Sequence, residues 1–158
     1  MLVLGIDPGT ATTGYGLVRD REDGSLESIA YGTIQTPAGC VAHQRLSMLY
    51  HQLNDLLLLH RPDYCAVEKL FYQSNVKTAI AVGQARGVVL LAISEAGLEV
   101  AEYTPNEVKQ AVTGYGSAGK KQVQEMVRVL LALPGIPQPD DAADALAIAI
   151  THLHTETF

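Results

Sequence analysis

Hydrophobic and polar positions alternate with two periods along this chain. Residues 2–6 (LVLGI) are continuously apolar, as in a strand covered on both faces. GYGLVRD and SLESIAYGTIQT instead alternate, and they flank the turn-rich REDGS, which predicts an antiparallel three-stranded meander. From Val41 to His60, Leu46, Leu49, Tyr50, Leu53, Leu56 and Leu57 recur at helical spacing, and the pattern stops before Pro62. DYCAVEKL then reads as a short apolar strand. A strand reached through a helix is expected to run parallel to the first.

Residues 76–96 predict a second long helix whose apolar positions wrap most of its circumference, with Gly83 and Gly87 four apart. Two readings stay open: a central core helix, or a helix that packs on its own sheet and also on a second subunit. Gln84 and Arg86 fit poorly in a one-chain core. LEVAEYT supplies a fifth strand, and TPNEVKQAV opens a helix with Thr104 as N-cap and Pro105 at its first position. KQVQEMVRVLLAL continues helically, PGIPQP breaks the chain, and a last helix starts at Asp140 or Asp141 and runs through DAADALAIAITHLH. This order predicts an α/β fold, a mixed five-stranded sheet with helices on both faces, in one domain over residues 1–158.

Composition agrees with an ordered globular domain: 158 residues, 47% hydrophobic and 18% charged, without a low-complexity tract. The start MLVLGIDPG has no basic leader, and no uninterrupted apolar run reaches bilayer length, so a cytoplasmic protein without membrane attachment is expected. Cys40 and Cys65 lack CxxC spacing and read as reduced, small apolar residues. The net charge of −6 argues against indiscriminate binding to nucleic acid. Its distribution is uneven: Lys69, Lys77, Arg86, Lys109, Lys120, Lys121 and Arg128 lie mid-chain, whereas Asp140, Asp141 and Asp144 crowd near the end. A basic surface beside an acidic pocket is compatible with that pattern.

Four acids are the candidate chemistry. Asp7 ends the first strand and Glu68 stands near the end of its parallel neighbour, so both leave the same end of the sheet. Asp141 and Asp144, three apart, share one face of a helix with Cβ atoms about 5–6 Å apart. If that helix crosses the first strand, the four carboxylates converge, and such a cluster requires positive charge. Oxygen donors without His or Cys suit Mg²⁺, with Mn²⁺ as substitute, and a pair of ions about 3.5–4 Å apart can activate water and stabilise the leaving oxygen of a phosphodiester. Singly, each acid has a plainer reading: Asp7 as a turn former, Glu68 as a surface charge, the aspartates as partners of the helix dipole.

GIDPGTATTGYG, VEKLFYQSN, GQARGVVLLA, TPNEVKQAVTGYGSAGKKQVQEMV and DDAADALAIAITH together resemble the bacterial RuvC Holliday-junction resolvases over nearly the whole chain. The paired acids leading an alanine-rich helix are the most specific part. The resemblance implies a ribonuclease H-like fold, a homodimer joined through the helix 76–96, and Mg²⁺-dependent symmetrical nicking of a four-way DNA junction that leaves 3′-hydroxyl and 5′-phosphate ends. It maps the catalytic, metal-holding acids onto Asp7, Glu68, Asp141 and Asp144, with two ions per site. It also implies RuvA and RuvB, the branch-migration machinery, as partners.

For DNA contacts, Phe71 and Tyr72 follow Glu68 closely, and a loop aromatic beside a metal site can stack on an unpaired base; the plain alternative is that Phe71 seals the strand end. Lys109, Lys120 and Lys121 flank the glycine-rich GYGSAG and suit phosphate contact. The family pattern favours Lys109 and Lys120 near the scissile phosphate, with Lys121, Lys77 and Arg86 attracting the backbone. GYGSAGKK nearly matches a P-loop, but a helix precedes it and Lys121 replaces the required Ser or Thr. Two other functions fit parts of the chain: a noncatalytic junction-binding module, and an actin-like phosphate-binding ATPase fragment suggested by IDPGT. The five histidines read as surface or helix-end residues.

Overall fold

The structure, a computed structural model, describes residues 1–9, 11–69 and 76–156. Among these, the chain runs β1 (Leu2–Asp7), β2 (Thr12–Asp20), β3 (Leu26–Gln35), α1 (Ala42–His60), β4 (Tyr64–Glu68), α2 (Val76–Glu95), β5 (Val100–Tyr103), α3 (Pro105–Thr113), α4 (Lys120–Leu130) and α5 (Asp140–Glu156). The sheet order is β3-β2-β1-β4-β5. The meander is antiparallel, and β4 and β5 add in parallel beside β1. Helices cover both faces, as the pattern predicts.

Strand periodicity divides the core in two. In β1, Leu2, Leu4 and Ile6 pack with α1 and α2, while Val3 packs with α3, α4 and α5. In β4, Cys65 and Val67 join the first cluster and Ala66 the second. Side chains on a strand alternate between faces, so Asp7 falls on the face of Val3, and Glu68 on the face of Ala66. Both are delivered to the α5 side.

Helix ends follow from local chemistry. Thr104 caps α3 in a full capping box with Glu107, and Pro105 follows it, as expected. α1 closes on Arg61, whose left-handed backbone donates its N–H to Leu57 just before Pro62. α4 ends at Leu130, short of the Leu133 expected from the apolar pattern. Ala132 turns left-handed (φ 51°), and Leu133 N–H reaches back to the Arg128 carbonyl, a Schellman closure made without glycine. β2 starts at Thr12, two residues ahead of the alternation read from Gly14.

α2 is not the central helix of either core. Ala85, Val89, Ala92 and Ile93 are buried, while Val76, Ile80 and Leu91 are 64%, 58% and 51% exposed. Length and apolar composition alone would allow this helix to cross a membrane. Its inner face, however, packs against α1 and the sheet. Arg86 loses its awkwardness by pairing with Glu102 on β5.

Candidate metal centre

The site is built where backbones meet. Gly5, Gly14 and Gly16 lie together, Gly5 paired with Gly16 and Asp7 with Gly14, on the strands that α5 crosses. A Cβ at Gly5 would overlap the Ala145 carbonyl oxygen, and one at Gly14 would overlap the Asp141 carbonyl and sit 3.0 Å from Asp141 Cβ. One at Gly16 would lie 2.8 Å from Leu146. α5 therefore rests on bare strand backbone, with Ala145 and Ala149 over Gly5 and Leu146 over Gly16. Asp141 is set down directly beside the end of β1.

As a result Asp7, Asp141 and Asp144 each offer a carboxylate oxygen within 4.8 Å of the others. All three are half-buried. Glu68 stands close enough to add to their repulsion: burial and the charges of Asp144, Glu68 and Asp141 together push the Asp7 carboxyl up to about 8, against a weaker opposing pull from Lys120. Burial first, then Asp144, also raises Glu68, with Lys109 opposing. Asp144 is raised by burial; Asp141 and Asp140 add to the shift, and Lys120 and a hydrogen bond from Asp7 oppose it. A protein that holds carboxylates this close, away from full hydration, has built a receptor for positive charge. The donors are all hard oxygens, the set that suits a small divalent cation.

Lysines frame the cluster. Lys120 Nζ lies 3.2 Å from Asp140 Oδ2, and Lys109 acts on Glu68 from α3. Lys77 and Lys121 are exposed on the first turns of α2 and α4. Arg86 faces inward: Nη2 pairs with Glu102, and Nη1 is buried without a hydrogen-bond partner. Phe71 and Tyr72 lie outside the described residues. GYGSAGKK joins α3 to α4, so no strand precedes it and a P-loop is excluded.

One histidine differs from expectation. His152 is 3% exposed, not at the surface, with Nδ1 2.7 Å from the Tyr103 hydroxyl and its ring against Tyr64. α5 is covered almost all round, a burial that two-residue spacing with His154 does not reveal. His154, half-buried, meets the Ala111 carbonyl at 3.0 Å. Cys65 is buried, which pushes its thiol up to about 12 and makes it inert.

Comparison with known proteins follows the same lines. The model of the family described as crossover junction endodeoxyribonuclease RuvC matches residues 3–152. A protein of that name from Syntrophomonas wolfei is 59% identical over 155 residues, covering 98% of this chain and 90% of its own length. The solved structure of Thermus thermophilus RuvC superposes with a TM-score of 0.93 at 38% identity, covering 99% of this chain and 96% of that one. T. thermophilus RuvC in complex with Holliday junction substrate gives 0.91 at 35% identity, with the same coverage.

Proposed function

The chain belongs to the RuvC family of crossover junction endodeoxyribonucleases, and we propose that it resolves four-way DNA junctions with the carboxylates of Asp7, Glu68, Asp141 and Asp144 as its catalytic, metal-holding groups. The observation that carries this reading is the meeting of the β1 and α5 carboxylates within 4.8 Å on the glycine-lined face. A binding module has no use for charges held in mutual repulsion at a cost to stability.

The four acids would hold Mg²⁺, two ions per site, with Mn²⁺ as substitute. When bound, these supply the positive charge that activates water and stabilises the leaving oxygen. The protein's own groups do the rest. Asp7 at the end of β1 and Glu68 at the end of β4 fix the inner edge of the site, and Asp141 and Asp144 close it from the first turns of α5. Asp7 would give up its proton to hold a cation. Lys109 and Lys120 stand at the rim, where a phosphodiester bearing one negative charge is drawn in. Water attacks phosphorus in line, the bond to O3′ breaks, and 3′-hydroxyl and 5′-phosphate ends remain. Lys121, Lys77 and the loop aromatics Phe71 and Tyr72 are further contacts for the DNA in this reading; Arg86, turned toward Glu102, serves it by fixing α2 to β5.

Symmetrical nicking needs two sites, and the open apolar face of α2 supports a homodimer joined there. Val76, Ile80 and Leu91 lie exposed along it, and Gly87 has nothing within 4 Å of where a Cβ would stand, leaving room for a second helix. RuvA and RuvB as partners, and a cytoplasmic setting, belong to the same proposal.

The test is incubation of the protein with labelled four-way junction, linear duplex and single strand, in Mg²⁺ or EDTA, beside Asp7→Asn. Junction-selective, Mg²⁺-dependent nicking that the substitution abolishes is expected. Cutting that persists in EDTA or in Asp7→Asn overturns the mechanism; tight junction binding without cutting returns the protein to the binding-module class.

A further inference from the structure

Asp140 stands beside the metal-holding acids without being one of the three that converge, and both of its oxygens are engaged elsewhere. Oδ2 lies 3.2 Å from Lys120 Nζ, and Oδ1 accepts a hydrogen bond from Gln124 Nε2 at 3.2 Å. Lys120 and Gln124 are one turn apart on α4, so both project from the same face and grip one carboxylate at the start of α5. Lys120 is the first residue of α4, and no acid occupies that first turn. An ammonium at the positive end of a helix is disfavoured by the backbone dipole, so its position depends on anions supplied from elsewhere. The structure supplies two sources: the Asp140 carboxylate, and the cluster itself, chiefly Asp144.

These sources differ in one respect. Divalent cations in the cluster cancel its attraction for Lys120. Asp140, whose oxygens are turned to α4, keeps its charge for the lysine. We propose that Asp140 is a positioning residue, which retains the Lys120 ammonium at the rim of the site once cations have neutralised the carboxylate cluster. This rests on the nuclease reading above. Gln124 orients the Asp140 carboxylate, so that a side chain 58% exposed is still presented to an arriving phosphate rather than released to solvent.

The sign of the effect separates this role from simple charge repulsion. Removing an acid beside a DNA site ordinarily tightens DNA binding. Affinity for a synthetic four-way junction is measured by fluorescence anisotropy in EDTA and in Ca²⁺, for the native protein, Asp140→Asn, Asp140→Glu, Lys120→Gln and the Asp140→Asn/Lys120→Gln double variant. Asp140→Asn is expected to bind as tightly as native or tighter in EDTA, but about two- to fivefold more weakly in Ca²⁺, the scale of one partly exposed ion pair. Asp140→Glu restores binding, and in the Lys120→Gln background the substitution has no further effect. Equal tightening of Asp140→Asn in both media, or an undiminished loss in the double variant, overturns the proposal. A native protein that fails to cut the junction in Mg²⁺ overturns the nuclease reading instead, so the two failures are distinguishable.

Discussion

The two faces of the sheet are assembled on opposite plans. Toward α1 and α2, large side chains fill the space: Leu4, Ile6, Leu17, Leu53 and Ile93 are all fully buried there. Toward α5, the centre of the contact is made by removing strand side chains, with Gly5 against Ala145 and Ala149, Gly14 against Asp141 and Gly16 against Leu146. A face packed by interdigitating side chains can repack around a small change, because rotamers adjust. A face packed backbone to backbone cannot absorb an added carbon without moving the helix. The carboxylate cluster is carried on the second kind, and its spacing is therefore set by main-chain contact rather than by side-chain fit.

Breaking the second face should have the largest effect. Gly14→Ala places a carbon against the Asp141 carbonyl, so it should destabilise the protein by about 1–3 kcal/mol and displace Asp141 from Asp7. Denaturant melts and single-turnover cleavage should fall together. Asp7→Asn separates what Gly14→Ala joins. It should reduce cleavage by about 10²–10³-fold or more, the scale of losing a preorganised charge interaction, yet stabilise the metal-free protein at neutral pH by about 1–2 kcal/mol because an amide enters the cluster without having to take up a proton. A destabilised Asp7→Asn protein would mean that the cluster is not under the strain its geometry implies.

The same strain sets a pH dependence. Asp7 titrates at about 8 in the folded chain against 3.8 when unperturbed, so between those values the folded state holds a proton that the unfolded state has lost. Its contribution to metal-free stability is complete below about pH 4 and declines as pH rises through about 8. Apparent affinity for Mg²⁺ should move the opposite way, rising toward pH 8 as the proton ceases to compete. Calorimetric titration and thermal melts across this range check both, and Asp7→Asn should flatten both curves. The smallest effect belongs to the first face: Ile93→Val should cost about 0.5–1.5 kcal/mol and leave cleavage near native. A large loss of cleavage from Ile93→Val would erase the contrast between the faces.

Much of this was legible in the sequence, for definite reasons. Continuous apolarity in LVLGI, alternation in the meander, the Thr104 cap and the parallel placement of β4 all follow from rules that act over a few residues. Asp141 and Asp144 were readable as a pair because helical spacing fixes their relation whatever the helix packs against. Glycine was not readable in the same way. Gly14 and Gly16 pass for the start of a strand, and only the crossing of α5 shows why a Cβ is forbidden there. The burial of His152 was likewise hidden, and the apolar wrap of α2 left two readings open, since each depends on which neighbours a helix acquires. The end of α4 escaped because its left-handed residue is alanine, where glycine is the usual marker.

The glycine seat of α5 also bears on time. Breathing motions that expose an amide require a segment to separate from its neighbours, and at Gly5 the backbones of β1 and α5 meet with no side chain between them that could yield first. Their amides should exchange with solvent on the timescale of global unfolding, while those of α2 and the 114–119 connection exchange by smaller openings. The converging carboxylates of Asp7, Asp141 and Asp144 then sit in the slowest-opening part of the molecule.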